Sequence, residues 1–193
     1  MSEAKKDVLV ATPSQTVGPY LHIGLDTEPR LGVMHGPETS GDRITLRVRV
    51  LDGAGDPLPD ALVELWQADA SGTFVAKPDH DNPDPGEAFR GWGRRATDKD
   101  GWCVFETIRP GATLAADGRH GAPHINVCLF ARGMLRHIFT RLYFAGDAAI
   151  AGDPVMAFVP EARRETLIAT LVDGAWTFVI RLQGPQETVF FDL

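Results

Sequence analysis

The chain of 193 residues has little of several features that mark particular classes of protein. No stretch approaches the roughly 20 consecutive apolar residues of a membrane-spanning helix, so no membrane partner is expected. No long apolar run follows the lysines at the start, which argues against a secretory signal. Positive charge is also scarce. The formal net charge of −7 argues against nucleic acid as a partner, because a phosphate backbone needs a basic surface.

Cysteine and tyrosine each occur only twice. Cys103 and Cys128 lie in apolar, strand-like runs, and intracellular thiols stay reduced, so the sequence predicts buried free thiols in a cytoplasmic protein. The two tyrosines are Tyr20 and Tyr143. The chain therefore has very few phenolate oxygens to offer as anionic ligands.

What is present is a series of short β-strand patterns separated by glycine- and proline-containing turns. The alternation is clearest over residues 43–51, where apolar and polar side chains take opposite faces, as in a half-buried strand. Further strands are predicted over 61–67, 101–108, 124–130, 138–144, 176–182 and, as a short last strand, 188–191. This pattern predicts an all-β protein with an antiparallel β-sandwich core.

Three segments fall outside the strand pattern. Residues 1–40 show turn chemistry and are predicted to form an N-terminal arm that contacts a partner, with residues 41–193 forming the sandwich. Residues 70–95 are rich in Asp, Pro and Gly and are predicted to form a long loop, the kind of segment that carries function on a β-scaffold. The one short helix is expected over 161–172, which follows a proline and ends at an Asp-Gly pair.

Half of a metal-binding pattern occurs at His124 and Asn126. Positions i and i+2 of a strand face the same side, so a His-x-His pair there could hold one metal ion. The second position here is asparagine, a poor ligand for a redox iron, which prefers imidazole, carboxylate or phenolate. The segment is therefore either an ordinary strand or the strand of a metal site that has lost a ligand.

Six segments, in the same order along the chain, resemble the intradiol ring-cleaving dioxygenases. They are TPSQTVGPYLHIG at 12–24, LPDALVELWQADASGTF at 58–74, GRRATDKDGWCVFETIRPG at 93–111, APHINVCLFARG at 122–133, TRLYFAGD at 140–147 and ETVFFDL at 187–193. The match covers nearly the whole chain. The resemblance implies cleavage of a catechol ring by dioxygen at a non-haem ferric ion that two tyrosines and two histidines hold.

The positions that correspond to those four ligands are degenerate in this chain. By the match of motifs, the tyrosines correspond to Phe74 and Thr113, and the histidines to His124 and Asn126. An arginine important in catalytic members corresponds to Gly121. A lone imidazole cannot retain ferric iron. The resemblance therefore implies that this chain binds no metal, has no catalytic residue by itself and keeps His124 as a structural remnant.

The resemblance further implies an alpha subunit in an alpha–beta hetero-oligomer whose homologous beta subunit holds Fe(III). The active site would lie between the subunits, lined in this chain by Thr16, Gly18, Pro19, Tyr20 and Arg132. Arg132 should emerge at a strand end, where its guanidinium suits the carboxylate of a carboxylated catechol. The expected reaction is O2-dependent cleavage of protocatechuate to 3-carboxy-cis,cis-muconate, with the iron chemistry on the partner.

Other interpretations of these residues stay open. The arm could serve only as interface packing, and Arg132 could form a surface or intersubunit salt bridge. The chain could instead be a non-enzymatic carrier or assembly module on the same fold. A self-sufficient intradiol enzyme with altered ligands would lack tyrosine at both ligand positions, which the chemistry of ferric iron opposes.

Overall fold

The alternating residues 43–51 form strand β1 (Arg43–Leu51), and its side chains divide between two faces as the pattern predicts. Leu46, Val48 and Val50 are fully buried. Arg47, on the opposite face, lies over the ring of Trp102 with its guanidinium carbon 4.8 Å from the ring centroid. One face of β1 therefore belongs to the core, while the other carries long polar side chains toward solvent.

The computed structural model describes residues 10–75, 88–114 and 118–192. The other strands are β2 (Leu62–Gln67), β3 (Trp92–Ala96), β4 (Trp102–Ile108), β5 (Thr113–Leu114), β6 (His120–Gly121), β7 (His124–Phe130), β8 (Ile138–Phe144), β9 (Ile168–Val172) and β10 (Ala175–Arg181). The helical elements of this part of the chain are α1 (Tyr20–Leu25) and 3-10 helices at Pro29–Gly32, Ala148–Gly152, Met156–Phe158 and Glu161–Leu167. None of the described helices is long and apolar enough to cross a membrane.

The strands form one eight-stranded sheet in the order β3-β2-β7-β8-β9-β10-β1-β4, beside a two-stranded sheet of β5 and β6. The predicted all-β class is confirmed, but the sheet is mixed rather than antiparallel. Strand β1 pairs in parallel with β10, and β8 pairs in parallel with β9. Parallel neighbours require a crossover instead of a hairpin, and the segment between β8 and β9, with its 3-10 helices, supplies one. Side chains alternate between the two faces of a strand in parallel and antiparallel sheets alike, so the sequence pattern could not show which strands pair in parallel.

The two halves of the sheet share one hydrophobic core, so the sheet curls toward a barrel. Buried side chains of β1, β4 and β10 lie in the same cluster as those of β2, β7 and β8. A second, smaller cluster contains Tyr143 of β8 together with Ala122 and, from the crossover, Met156, Val159 and Leu167. This smaller cluster holds the crossover against β8.

The segment predicted as a helix, 161–172, consists of two different elements. Glu161–Leu167 is a 3-10 helix, and Ile168–Val172 is strand β9, which pairs with both β8 and β10. The helix prediction was wrong because the apolar spacing fits a helical face, whereas every second residue of β9 is β-branched and favours a strand. Asp173-Gly174, with φ values of 49° and 79°, forms the hairpin turn into β10 instead of a helix end.

Two further predictions are corrected. Residues 70–95 are not a loop throughout, because β3 begins at Trp92; residues 76–87 lie outside the described part of the chain. Residues 188–191 do not form a regular strand. Phe191 makes an isolated bridge to Phe139 of β8, and the carbonyl of Val189 accepts a hydrogen bond from the Thr140 hydroxyl, without a continuous ladder.

Candidate functional site

The four positions that the resemblance assigns to iron ligands lie around the start of β7. His124 and Asn126 alternate with a fully buried core residue, so both face away from the main core. The ring of Phe74 lies 6.5 Å from that of His124, measured between centroids. Thr113 pairs across β5 and β6 with Gly121, which is close to His124 in the chain. The fold thus places these positions, distant in sequence, in one region.

Aromatic side chains enclose His124. Phe74 packs against Trp66 at 4.7 Å between ring centroids, and the His124 ring lies 5.9 Å from that of Tyr143. Tyr143 is completely buried, and His124 is only 3% exposed. The imidazole is therefore a packed core group.

Asp153 is a buried carboxylate of this region that the sequence analysis did not identify. It lies in the crossover and is 2% exposed. Its Oδ1 accepts hydrogen bonds from the Tyr143 hydroxyl at 2.9 Å and from the backbone N–H groups of Val155 and Met156 at 2.9 and 3.0 Å. Its Oδ2 accepts one from the Ala122 N–H at 2.8 Å. The only sequence signal is an Asp-Pro pair, which predicts a turn but no buried network.

Arg141 supplies the positive charge beside this network. Its Nε donates to Asn126 Oδ1 at 3.1 Å, and its Nη1 lies 3.5 Å from the Tyr143 hydroxyl. Burial raises the pKa of Tyr143, and the Arg141 charge opposes that rise only in part. The phenol is therefore neutral near pH 7.

Burial and, to a smaller extent, the charge of Arg141 lower the pKa of His124 to about 4. The carbonyl of Ala122, 2.7 Å from Nδ1, opposes this shift. The imidazole is consequently neutral near pH 7 as well. This region therefore contains two uncharged rings, those of His124 and Tyr143, beside the Asp153 carboxylate, whose two oxygens both accept hydrogen bonds.

These residues do not fit a ferric ion. Phe74 has no donor atom, and Thr113 offers only an alcohol oxygen. The amide oxygen of Asn126 already accepts from Arg141, and the protonated phenol of Tyr143 donates to a carboxylate. Ferric iron prefers anionic phenolate and carboxylate oxygen together with imidazole. Among the described residues, no group of three or more His, Cys, Asp or Glu side chains could hold a metal ion.

Gly121, where the resemblance places an arginine in catalytic members, also lacks space for a larger side chain. A Cβ on Gly121 would lie 2.9 Å from Thr113 Oγ1 and 3.3 Å from Asp153 Oδ2. Both contacts are closer than ordinary van der Waals separation. A larger side chain here would require Thr113 and, by a smaller amount, Asp153 to shift.

The buried His124 predicts that the protein loses stability as the pH falls below 6.5. Its folded pKa of about 4 lies below the ordinary value of 6.5, so the unfolded state binds the proton first. The stabilisation is complete above pH 6.5 and is lost as the pH falls toward 4. By pH 5 the loss from this residue should be about 2 kcal/mol. Urea unfolding followed by tryptophan fluorescence at pH 7.5 and pH 5 measures it.

The variant His124→Gln should not show the part of the loss of unfolding free energy between pH 7.5 and pH 5 that comes from His124. His137→Gln is the matched control, because His137 is exposed and should leave the dependence unchanged. If His124→Gln loses as much stability between pH 7.5 and pH 5 as the parent does, protonation of His124 does not destabilise the folded protein.

The second group of predicted residues lies at the turn between β7 and β8. The backbone N–H of Gly133 donates to Thr16 Oγ1 at 2.8 Å, which holds the N-terminal arm against this turn. The neighbouring Arg132 follows the end of β7, and its side chain is 52% exposed. The structure therefore brings Thr16 and Arg132 together, although they are far apart in the sequence.

The remaining predicted pocket residues lie at the start of α1. Pro19 has φ −62° and ψ −19° and directly precedes the helix, and the carbonyl of Gly18 accepts from the N–H of Leu21 at 3.1 Å. Among the described residues, no atom other than those of its chain neighbours lies within 4 Å of a Cβ placed on Gly18, and Tyr20 is 80% exposed. These residues are open to another molecule.

Two residues that the sequence analysis did not assign, Asp60 and His22 of the arm, lie close to Arg132. Asp60, in the turn before β2, has Oδ2 at 3.9 Å from Arg132 Nη2 and Oδ1 at 3.5 Å from His22 Nε2 on α1. No sequence signal indicates this contact, because the three residues belong to separate segments that only the fold brings together.

Comparison with known proteins defines the class of this chain. A sequence profile described as Dioxygenase matches residues 17–180, which is most of the chain. The dioxygenase domain of a dioxygenase–carbohydrate-binding protein fusion from Streptomyces sp. SirexAA-E has a similar fold, with a TM-score of 0.59 and 24% identity over 82% of this chain and 88% of that one. The chain belongs to the intradiol ring-cleavage dioxygenase family.

The most informative relatives within this family are subunits of one enzyme. The chain is 43% identical to the protocatechuate 3,4-dioxygenase alpha chain of Pseudomonas putida, over 96% of this chain and 98% of that one. It is 40% identical to the protocatechuate 3,4-dioxygenase beta chain of Burkholderia cepacia, over 85% of this chain and 74% of that one. The resemblance expected from the motifs is confirmed.

Proposed function

We propose that this chain is the non-iron-binding alpha subunit of a heteromeric protocatechuate 3,4-dioxygenase and lines the site in which a homologous beta subunit holds Fe(III). The observation that supports this most is the contrast between its two candidate regions. Around His124 the ligand positions carry no suitable donors and are packed with aromatic rings. Around Arg132 the polar groups are exposed and available to a partner.

In this proposal the arm, residues 1–40, contacts the beta subunit, and residues 41–193 form the scaffold. Thr16 fixes the arm through Gly133. Gly18 and Pro19 then present backbone that another molecule can approach closely, since Gly18 carries no side chain. Tyr20 adds an exposed aromatic ring beside them.

Arg132 is proposed to recognise the carboxylate of protocatechuate. A guanidinium offers paired N–H donors in the geometry that a carboxylate accepts. The net charge of −7 repels an anionic substrate, so a local positive group is needed to bind it. The iron on the beta subunit supplies the oxidative chemistry that opens the ring to 3-carboxy-cis,cis-muconate. The residues of this chain orient the substrate and exclude water.

We also place the chain in the cytoplasm. Cys103 and Cys128 are both free thiols, and Cys103 is buried. Burial raises the pKa of Cys128 to about 12, so this thiol stays protonated and unreactive. Unpaired thiols of this kind are typical of a reducing compartment.

Iron analysis and visible spectroscopy test the proposal that the beta subunit, and not this chain, binds the iron. Purified alone, the chain should be colourless and free of iron. Coexpressed with its beta subunit, it should give a coloured complex that contains stoichiometric iron and consumes protocatechuate with uptake of O2. Stoichiometric iron and ring cleavage by the isolated chain would contradict the proposal. A stable complex without dioxygenase activity would instead support a carrier or assembly role.

Within the complex, His124→Gln distinguishes a partner-held iron from an iron bound in this chain. His124 is the one imidazole at the four ligand positions, so the iron content of the complex should be unchanged if the beta subunit holds the metal. The turnover rate should stay within about twofold, because the substitution alters none of the residues proposed to line the pocket. Loss of iron or of colour would place the metal in this chain.

A further inference from the structure

We propose that Asp60 is a positioning residue that orients Arg132 toward the substrate carboxylate, an inference that rests on the function proposed above. Asp60 lies in the turn that leads into β2, on neither of the elements that carry the predicted pocket residues. It would act through Arg132, without contact to the substrate.

The geometry places the Asp60 carboxylate between the Arg132 guanidinium and the His22 imidazole. Its Oδ2 faces Arg132 Nη2 at 3.9 Å, and its Oδ1 faces His22 Nε2 at 3.5 Å. The side chains of Asp60 and Arg132 are 39% and 52% exposed, so neither is held by burial. An electrostatic contact on one edge of the guanidinium limits its rotamers and leaves the other N–H groups free for a ligand.

Hydrogen bonds to Thr97 anchor the backbone around Asp60. The N–H of Asp60 donates to the carbonyl of Thr97 at 3.2 Å. The Thr97 hydroxyl donates to the carbonyl of Leu58 at 2.8 Å and accepts from the N–H of Ala61 at 2.9 Å. Thr97 is itself 4% exposed. A short carboxylate side chain on this anchored backbone can therefore orient the longer side chain of Arg132.

Asp60 also has a left-handed backbone, with φ 64°, which few residues other than glycine adopt. Such a conformation carries a small cost and points to a role when the surrounding structure maintains it. Aspartate and asparagine tolerate it best among residues with side chains. This allows the charge to be removed without changing the turn, by Asp60→Asn.

The direction of the Asp60 side chain differs from that of the other turn aspartates. The carboxylates of four of them accept backbone N–H groups of their own turns: Asp52, Asp69, Asp98 and Asp147. The carboxylate of Asp60 instead points at side chains of α1 and of the β7–β8 turn. It therefore connects separate segments instead of closing its own turn.

Steady-state kinetics of the assembled alpha–beta complex test this role with Asp60→Asn. The KM for protocatechuate should rise about fivefold, as expected for loss of a partly exposed ion pair that restrains one side chain. The kcat should change by less than about twofold, since the reacting groups are untouched. The KM for catechol, which has no carboxylate, should be unchanged. An unchanged KM for protocatechuate would overturn the inference, and a lower one would show that Asp60 competes with the substrate for Arg132.

The matched control is Asp173→Asn. Asp173 is also exposed and left-handed, with φ 49°, but lies in the β9–β10 turn. It should leave both KM values unchanged, and iron content and subunit ratio should match the parent complex in every variant. A rise in KM for Asp173→Asn equal to that for Asp60→Asn would make the effect one of net charge and overturn the inference.

A second background separates this inference from the proposed function. In a complex that carries Arg132→Ala, Asp60→Asn should have no further effect on the KM for protocatechuate. A further rise there would mean that Asp60 acts independently of Arg132. If Arg132→Ala discriminates between the two substrates and Asp60→Asn does not, the positioning role fails while the proposed function stands. If Arg132→Ala does not discriminate, the carboxylate-recognition role itself fails.

Discussion

Replacing Asp153 by alanine is expected to lower the free energy of unfolding by about 4 kcal/mol, because it leaves several buried donors without an acceptor. The donors are the Tyr143 hydroxyl and the backbone N–H groups of Ala122, Val155 and Met156. They join the start of β7, strand β8 and the crossover. The loss should therefore loosen the crossover as well as the aromatic packing around His124. Denaturant unfolding, with tryptophan fluorescence as the signal, measures the change.

Two further variants locate the cause of this loss. Asp153→Asn keeps the shape and one acceptor oxygen but presents an NH2 group to a donor, so it should cost about 2 kcal/mol. Asp56→Ala removes an exposed turn carboxylate and should stay within about 0.5 kcal/mol of the parent. Hydrogen exchange in the assembled complex should show faster exchange at the Ala122 and Met156 amides in Asp153→Ala. Unchanged stability and exchange would contradict the role assigned to this carboxylate.

Arg132→Ala in the alpha–beta complex is expected to lower kcat/KM for protocatechuate about 100-fold, as for truncation of one partner of a desolvated charge pair. The same change should lower kcat/KM for catechol by no more than about threefold, because catechol offers the guanidinium no carboxylate. The test of carboxylate recognition is that kcat/KM falls much more for protocatechuate than for catechol. Oxygen uptake with each substrate at several concentrations measures it.

The control for this prediction is Arg136→Ala, which removes the same charge from an exposed residue of the same turn. It should affect the two substrates equally and only slightly. Arg132→Lys keeps the charge without the paired donors and should recover part of the lost activity. Equal losses for protocatechuate and catechol in Arg132→Ala would rule out carboxylate recognition and assign Arg132 to interface packing.

The strands could be predicted from the sequence where side chains alternate between core and solvent. The buried Leu46, Val48 and Val50 of β1 show why, since a half-buried strand leaves a period of two in the sequence. Prediction failed for β9, whose apolar spacing imitates a helix over only a few residues. Its place between β8 and β10 decided its structure, and such long-range pairing overrides local preference.

The residues of the candidate site also fall into those that could be predicted from the sequence and those that could not. Thr16 and Arg132 could be proposed as pocket residues because the motifs that contain them match those of the family. Asp60 and Asp153 could not, because a turn aspartate is usually a solvated or capping residue. Their roles depend on which side chains the fold brings to them.

The sequence by itself determined which atoms the chain can offer. Phenylalanine at 74 has no oxygen in its side chain and asparagine at 126 has no imidazole, so these two positions could supply neither a phenolate nor an imidazole in any fold. The tertiary structure alone decided that Tyr143 and Asp153 meet behind His124, and that Thr16 and Asp60 meet the turn of Arg132. The physical reason is that the ligand atoms are a property of each residue type. These contacts instead depend on the order of the strands in the sheet and on the crossover, which the local periodicity of the sequence does not specify.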